Sequence, residues 1–216
     1  MIANDRKHFE KQKVIPVGAL QDEDKTLQAV QLYLKHDWNV IEITLRNSAA
    51  LQILKRIKRE FPQVFLGAGT LLDLDTLKKA RDAGANFFVS PGYSEDMLRF
   101  SRENGVLFIP GTGSPKEMMD VLTQDITLLK FFPASVLGGT QFLKAVYPVF
   151  KHKDILFFPT GGIQPDNLKD YLNTPGVLCC GMSYIADSQL IEQGQFGQLE
   201  ERILRTKAIL QDKSSS

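Results

Sequence analysis

The chain has 216 residues, 43% of them apolar, and its 26 basic and 25 acidic residues leave a net charge of +1. That supports one sizeable core; no basic block interleaved with aromatics marks a nucleic-acid partner, and no run approaches the ~18 apolar residues of a membrane-spanning helix. Adjacent Cys179 and Cys180 exclude a disulfide framework, while His8, His36 and His152 are scattered without HExxH or CxxC spacing, so neither a metal nor another cofactor is expected.

Residues 1–12 read as a short N-terminal helix or arm. The charged stretch from Met1 to Lys13 lacks the apolar core of a signal peptide, and with two unbridged cysteines the expected compartment is the cytoplasm. Short apolar runs then recur at residues 14–17, 40–43, 64–66, 87–89, 106–109, 126–129, 155–158 and 177–180. Continuous apolar runs suit strands buried on both faces, as in parallel sheets. Between them Leu27, Val30 and Leu34 share one helical face, as do Leu51, Leu54 and Ile57 in the next unit. Asp22, Glu23 and Asp24 put negative charge at a helix start, and Ser114-x-x-Glu117 with Pro115 reads as a capping box.

Eight strand–helix units at intervals of roughly 20–30 residues predict a (β/α)8 barrel, a TIM barrel of α/β class, as one domain over residues 1–216 with a frayed tail at 213–216. The competing doubly wound sheet needs a nucleotide fingerprint, and Gly67-Ala68-Gly69 lacks the third glycine, because Leu72 stands there.

In a parallel barrel, chemistry sits at the carboxyl ends of the strands. Lys130 lies in the apolar run ending Leu129-Lys130-Phe131-Phe132, where an unpaired ammonium costs several kcal/mol. A lysine of pKa about 10.4 offers about one neutral amine in a thousand at pH 7, and a desolvation of ~3 units supplies the amine that an imine needs. Arg46 suits two-pronged capture of a 2-oxo acid's carboxylate, and Glu42, inside another apolar run, suits proton transfer. The glycine turns after the seventh and eighth strands match the phosphate cradle of this fold. Plainer readings stand beside these: Glu42 with Lys130 as a structural ion pair, Arg46 as a surface helix-start residue, each glycine pair as a tight turn.

Five motifs in order carry a resemblance. They are Val40-Ile41-Glu42-Ile43-Thr44-Leu45-Arg46, Gly67-Ala68-Gly69-Thr70, Val89-Ser90-Pro91-Gly92, Leu129-Lys130-Phe131-Phe132-Pro133-Ala134 and Pro159-Thr160-Gly161-Gly162-Ile163. Together they resemble the 2-keto-3-deoxy-6-phosphogluconate aldolase / 4-hydroxy-2-oxoglutarate aldolase family, from about Val14 to Ala186. The resemblance implies a metal-free class I aldolase on a (β/α)8 barrel, assembled as a homotrimer, cleaving a 4-hydroxy-2-oxo acid to pyruvate and an aldehyde. It implies Lys130 as the Schiff-base lysine and Glu42 as the proton carrier. Arg46 and Thr70 would clamp the pyruvate carboxylate, with Pro91 and Phe132 lining that pocket. Thr160, Gly161, Gly162 and Ser183 would hold the distal end of the substrate, expected to carry a phosphate, with 4-hydroxy-2-oxoglutarate as the alternative.

Three positions depart from the family's commoner pattern: Ser135 for a glutamate, the loop Gly111-Thr112-Gly113-Ser114, and Met182 for a glycine before Ser183. Two rival functions remain, a phosphosugar isomerase or epimerase that needs no imine, and a catalytically silent barrel serving as a binding subunit.

Overall fold

The computed structural model of the protein describes residues 3–212; residues 1 and 2 of the expected N-terminal arm and the tail expected at 213–216 lie outside them. Helix α1 (Ala3–Gln12) leads into β1 (Val14–Gly18), α2 (Glu23–Lys35), β2 (Val40–Thr44), α3 (Ala50–Glu60), β3 (Phe65–Gly69), α4 (Leu74–Asp82), β4 (Phe87–Val89) and α5 (Glu95–Asn104). There follow β5 (Phe108–Ile109), β6 (Gly111–Thr112), α6 (Pro115–Leu122), β7 (Leu128–Phe131) and α7 (Gly139–Phe150). The chain ends through β8 (Leu156–Pro159), α8 (Leu168–Leu172), β9 (Cys180–Met182), α9 (Ser188–Glu192) and α10 (Phe196–Gln211).

The strands pair in parallel, in the orders β5-β4-β3-β2-β1-β9 and β6-β7-β8. Strands β5 and β6 are two halves of one stave, interrupted at Pro110, which has no N–H to give a ladder. Its carbonyl still accepts from Lys130 N at 2.9 Å, so the stave stays joined to β7. A parallel bridge from Thr160 to Gly181 links the end of β8 to β9 and closes the ring. The result is a (β/α)8 barrel.

Several strands begin later than the apolar runs suggest. Strand β7 starts at Leu128 rather than Ile126, and β9 at Cys180 rather than Val177. Val177 makes only an isolated bridge to Phe157, because the turn at Gly176 delivers the chain to the sheet at a single point before the ladder resumes. Hydrophobicity alone does not distinguish a residue that enters the core from a loop and one that enters it from a ladder.

Alternation along the strands sorts the side chains. Ile15, Val40, Phe87, Val89, Ile109, Leu128, Phe158 and Cys179 form an inner cluster, sealed at the amino end of the barrel by Phe9 of α1. The Phe9 ring meets Phe87 edge-on at 5.1 Å and Phe65 at 5.9 Å. Cys180 faces the opposite way, into the layer between sheet and helices that holds Leu54, Ile57, Leu129 and Ile203. The helix starts follow the local chemistry: Asp22 accepts from Lys25 N, and Ser114 caps α6 with Pro115 in its first turn.

Gln12 fastens α1 to this frame. Its buried amide donates to Val40 O (2.7 Å) and Val14 O (3.0 Å) and accepts from Val40 N (2.8 Å). Gln12→Leu keeps much of the volume and strands those groups, each costing about 1–3 kcal/mol when buried unpaired. Equilibrium urea unfolding should therefore show a loss of about 2–4 kcal/mol with an unchanged slope, and an unaltered midpoint would mean that α1 is only lightly attached.

Candidate active site

The strand period that buries the inner cluster also places the polar groups. Glu42 stands two residues beyond Val40, Lys130 two beyond Leu128 and Thr160 two beyond Phe158, on the same inward parity. Each is about 6–7 Å further toward the carboxyl end of its strand. The lower half of the barrel is thus apolar, and its upper half carries the ionisable groups.

Glu42 is fully buried, and neither of its carboxylate oxygens has a hydrogen-bond partner among the described residues. Desolvation pushes its carboxyl above the ordinary range, although Lys130 and then Arg46 pull the other way. Lys130 is 4% exposed, and the same desolvation holds its amine below the usual lysine range. Glu42 opposes that shift, and Arg46 adds to it. Lys130 Nζ lies 4.9 Å from the centre of the Phe132 ring, an aromatic face that steadies a cation without donating to it. Glu42 and Lys130 therefore feel each other's charge without sharing a hydrogen bond. The room for this comes from Gly69: a Cβ there would fall 2.0 Å from Glu42 Oε1.

Arg46 sits at the rim, where its Nε donates to Thr70 Oγ1 at 3.2 Å. Thr70 holds φ 59°. A left-handed backbone costs a β-branched residue about 1–2 kcal/mol, which a glycine would avoid along with the hydroxyl that Arg46 uses.

A cavity of ≈ 730 Å³ opens over this end of the barrel and is lined by Arg46, Phe132, Thr160, Gly161, Gly162 and Ser183 among others. Six of the expected site residues thus share one space. Glu42 and Lys130 do not line it but are coupled to Arg46 at its edge, and Thr70 joins through the same arginine. Pro91 is not in the lining; its backbone packs on Gly111, where a Cβ would lie 2.2 Å from Pro91 C and O. Thr160 is buried with its hydroxyl oxygen unpartnered among the described residues, and Gly161 and Gly162 take φ values of 94° and 81°, open to glycine at little cost.

The departures from the common pattern resolve differently. Met182 is fully buried in the core beside the helices and does not line the cavity. Ser135 donates its N–H to Gly161 O at 3.0 Å, beside the glycine turn. In the third, Gly113 N donates to Glu117 Oε2 at 2.8 Å, so that loop serves the start of α6. The cavity also contains Thr44, the last residue of β2, and Gln164, Asp187, Gln189 and Arg202, which a search of strand ends does not reach. Arg202 belongs to α10, and nothing in its local sequence separates it from a solvated helix arginine.

A desolvated amine facing a carboxylate, beneath a cavity rimmed by a guanidinium, defines an enzyme that works on carbonyl compounds through a covalent amine. The chain belongs to the KDPG and KHG aldolase family, whose sequence model matches residues 6–202. It is 36% identical over 193 residues to the 2-dehydro-3-deoxy-phosphogluconate aldolase of Pseudoalteromonas atlantica, an alignment spanning 89% of each chain. It is 32% identical, with a TM-score of 0.87, to a KDPG aldolase from Legionella pneumophila whose crystal structure holds pyruvate captured at low pH as a covalent carbinolamine, over 91% of this chain and 95% of that one. A 2-keto-3-deoxy-6-phosphogluconate aldolase of Zymomonas mobilis ZM4, crystallised with 3-phosphoglycerate, is 30% identical with a TM-score of 0.84, covering 98% of both chains. No helix among the described residues is long and apolar enough to cross a membrane.

Two predictions follow from this geometry. Gly69→Ala should fold and still trap pyruvate on reduction, yet slow the exchange of pyruvate methyl protons by on the order of 10²–10⁴-fold, because the new Cβ displaces the Glu42 carboxylate; unchanged exchange would free Glu42 from proton transfer. The pH dependence of trapping at saturating pyruvate should have its midpoint below the ordinary lysine pKa. Since the Glu42 carboxylate favours the ammonium, Glu42→Gln should move that midpoint further down. A midpoint moving up would reverse the sign of the coupling.

Proposed function

We propose that this class I aldolase cleaves a 4-hydroxy-2-oxo acid reversibly, with Lys130 as the imine-forming residue and Glu42 as the proton carrier. The Lys130 amine adds to the C2 carbonyl and loses water, giving an iminium. Glu42 takes the proton of the 4-hydroxyl, directly or through one water, as the C3–C4 bond breaks. The bonding pair moves toward the iminium and the aldehyde departs. Glu42 returns the proton to C3 of the enamine, and water releases pyruvate from Lys130. Arg46, braced by Thr70, holds the pyruvate carboxylate, while Phe132 packs beside the amine and Pro91 supports that wall. Thr160, Gly161, Gly162 and Ser183 receive the distal end.

The observation that carries this reading is the relation between Glu42 and Lys130. A structural ion pair would bring ammonium and carboxylate into hydrogen bonding, yet both Glu42 oxygens are unpartnered among the described residues and the Lys130 amine is desolvated. That counts against a silent binding subunit. An isomerase working through carboxylates alone has no use for such an amine.

The substrate favoured by the distal glycine turns is 2-keto-3-deoxy-6-phosphogluconate, yielding glyceraldehyde 3-phosphate; 4-hydroxy-2-oxoglutarate, yielding glyoxylate, is the shorter dianionic alternative. Support for the phosphorylated acid comes from the Zymomonas relative, crystallised with 3-phosphoglycerate. The balanced charge and unbridged cysteines support a one-domain cytoplasmic enzyme, and the family resemblance supports a homotrimer.

Borohydride reduction with pyruvate, followed by peptide mass spectrometry, should place the adduct on Lys130. Lys130→Arg should fold and yield none, because a guanidinium stays protonated. An adduct on another lysine, or none in the parent, would falsify the assignment.

A further inference from the structure

Among the residues lining the cavity the cations are Arg46 and Arg202, and the anion is Asp187. Arg46 follows β2 and Arg202 packs on the turn after β9, so they approach the cavity from the two sides of β1, whose Val17 and Ala19 beyond its end lie in the lining between them. Arg46 has its work at the pyruvate carboxylate. Arg202 has no part in the imine chemistry, and its ion pair with Asp187 is partly buried, the two side chains being 28% and 29% exposed.

The Arg202 guanidinium is nonetheless held in place. Nη1 donates to Tyr184 O at 3.0 Å and to Asp187 Oδ2 at 2.8 Å, and the guanidinium carbon lies 4.6 Å from the centre of the Tyr184 ring. One nitrogen makes both bonds; Nε and Nη2 donate to no described residue. A planar cation fixed through one nitrogen, with its other nitrogens uncommitted, in a residue that lines a cavity, suits a two-pronged anion.

We propose that Arg202 is a specificity-determining residue, the cation that selects a phosphate at the distal end of the substrate. This rests on the aldolase reading and deepens it. The glycine turn and the hydroxyls of Thr160 and Ser183 supply hydrogen bonds to the distal group but no charge, and Arg202 supplies the charge. Asp187 tethers it and partly offsets it, so the tether trades affinity for position.

The rival is a strut, in which Arg202 only ties the turn Tyr184–Ala186 to α10. Asp187 separates the two. Its Oδ1 accepts from Gln189 N and Leu190 N at the start of α9, whereas Oδ2 accepts from Arg202. Asp187→Asn keeps the Oδ1 cap and removes the tether and its charge.

The experiment measures calorimetric binding of inorganic phosphate and kcat/KM for 2-keto-3-deoxy-6-phosphogluconate against its unphosphorylated analogue. Arg202→Gln should weaken phosphate binding and lower the preference for the phosphorylated acid by on the order of 10–100-fold, chiefly through KM. Asp187→Asn should bind phosphate as well as the parent or better. The proposal is overturned if Arg202→Gln leaves that preference intact, if Asp187→Asn loses phosphate binding as Arg202→Gln does, or if the parent binds no phosphate. A parent that binds phosphate yet forms no reducible pyruvate adduct instead removes the aldolase reading.

Discussion

The burial of Glu42 and Lys130 in the upper half of a closed barrel is the constraint on which the rest depends. Both groups have left water, and each is pushed toward its neutral form. In a barrel with gaps, water would reach them and return both to ordinary behaviour. The apolar floor prevents this. Phe9 seals its amino end, and Gln12 pins the helix that carries Phe9 to β1 and β2. A helix at the far end of the molecule therefore helps to set the electrostatics of the site, through exclusion of water rather than contact.

The pair is also poorly matched as a stabilising feature. A buried carboxylate without a hydrogen bond and an amine held off its natural charge both oppose folding, and they persist because the surrounding apolar packing is extensive. Thr70 adds a smaller cost of the same kind, a left-handed threonine where glycine would be easier. Such local conflicts gather at the carboxyl end of the barrel, while the amino end obeys the ordinary rules of packing.

The parts of the fold that could be read from the chain were those written as a period. Continuous apolar runs gave parallel strands, and the capping residues Asp22 and Ser114 gave helix starts, because each of these is local chemistry. The inward aim of Lys130 follows from the same period once Leu128 is known to start the strand. Ile126 and Leu128 share the parity of Lys130, so either start of the strand aims Lys130 inward. Other features needed three dimensions. Pro110 divides a stave that the run at 106–109 presents as whole, and Val177 touches the sheet well before its strand begins. Met182 stands where a glycine is commoner, directly before Ser183, but its side chain lies in the core and does not line the cavity.

The two ends of the site differ in how they are built, and this explains which residues were legible. The proposed pyruvate end is made by strands: Glu42 and Lys130 are fixed by parity and register, and their neighbours follow from the barrel itself. The proposed distal end is made by the turns after β8 and β9 and by the helix that packs over them, where no period operates. Arg202 reaches the cavity from α10, some twenty residues beyond the last strand end. A barrel can therefore keep its carbonyl chemistry while its choice of aldehyde drifts, because changes in α10 or the Tyr184–Ala186 turn leave Glu42 and Lys130 where the strands put them. With Arg202 as the proposed phosphate cation, substrate preference is most exposed to change at Asp187 and Arg202, where one carboxylate decides how much of a cation's charge remains for the ligand.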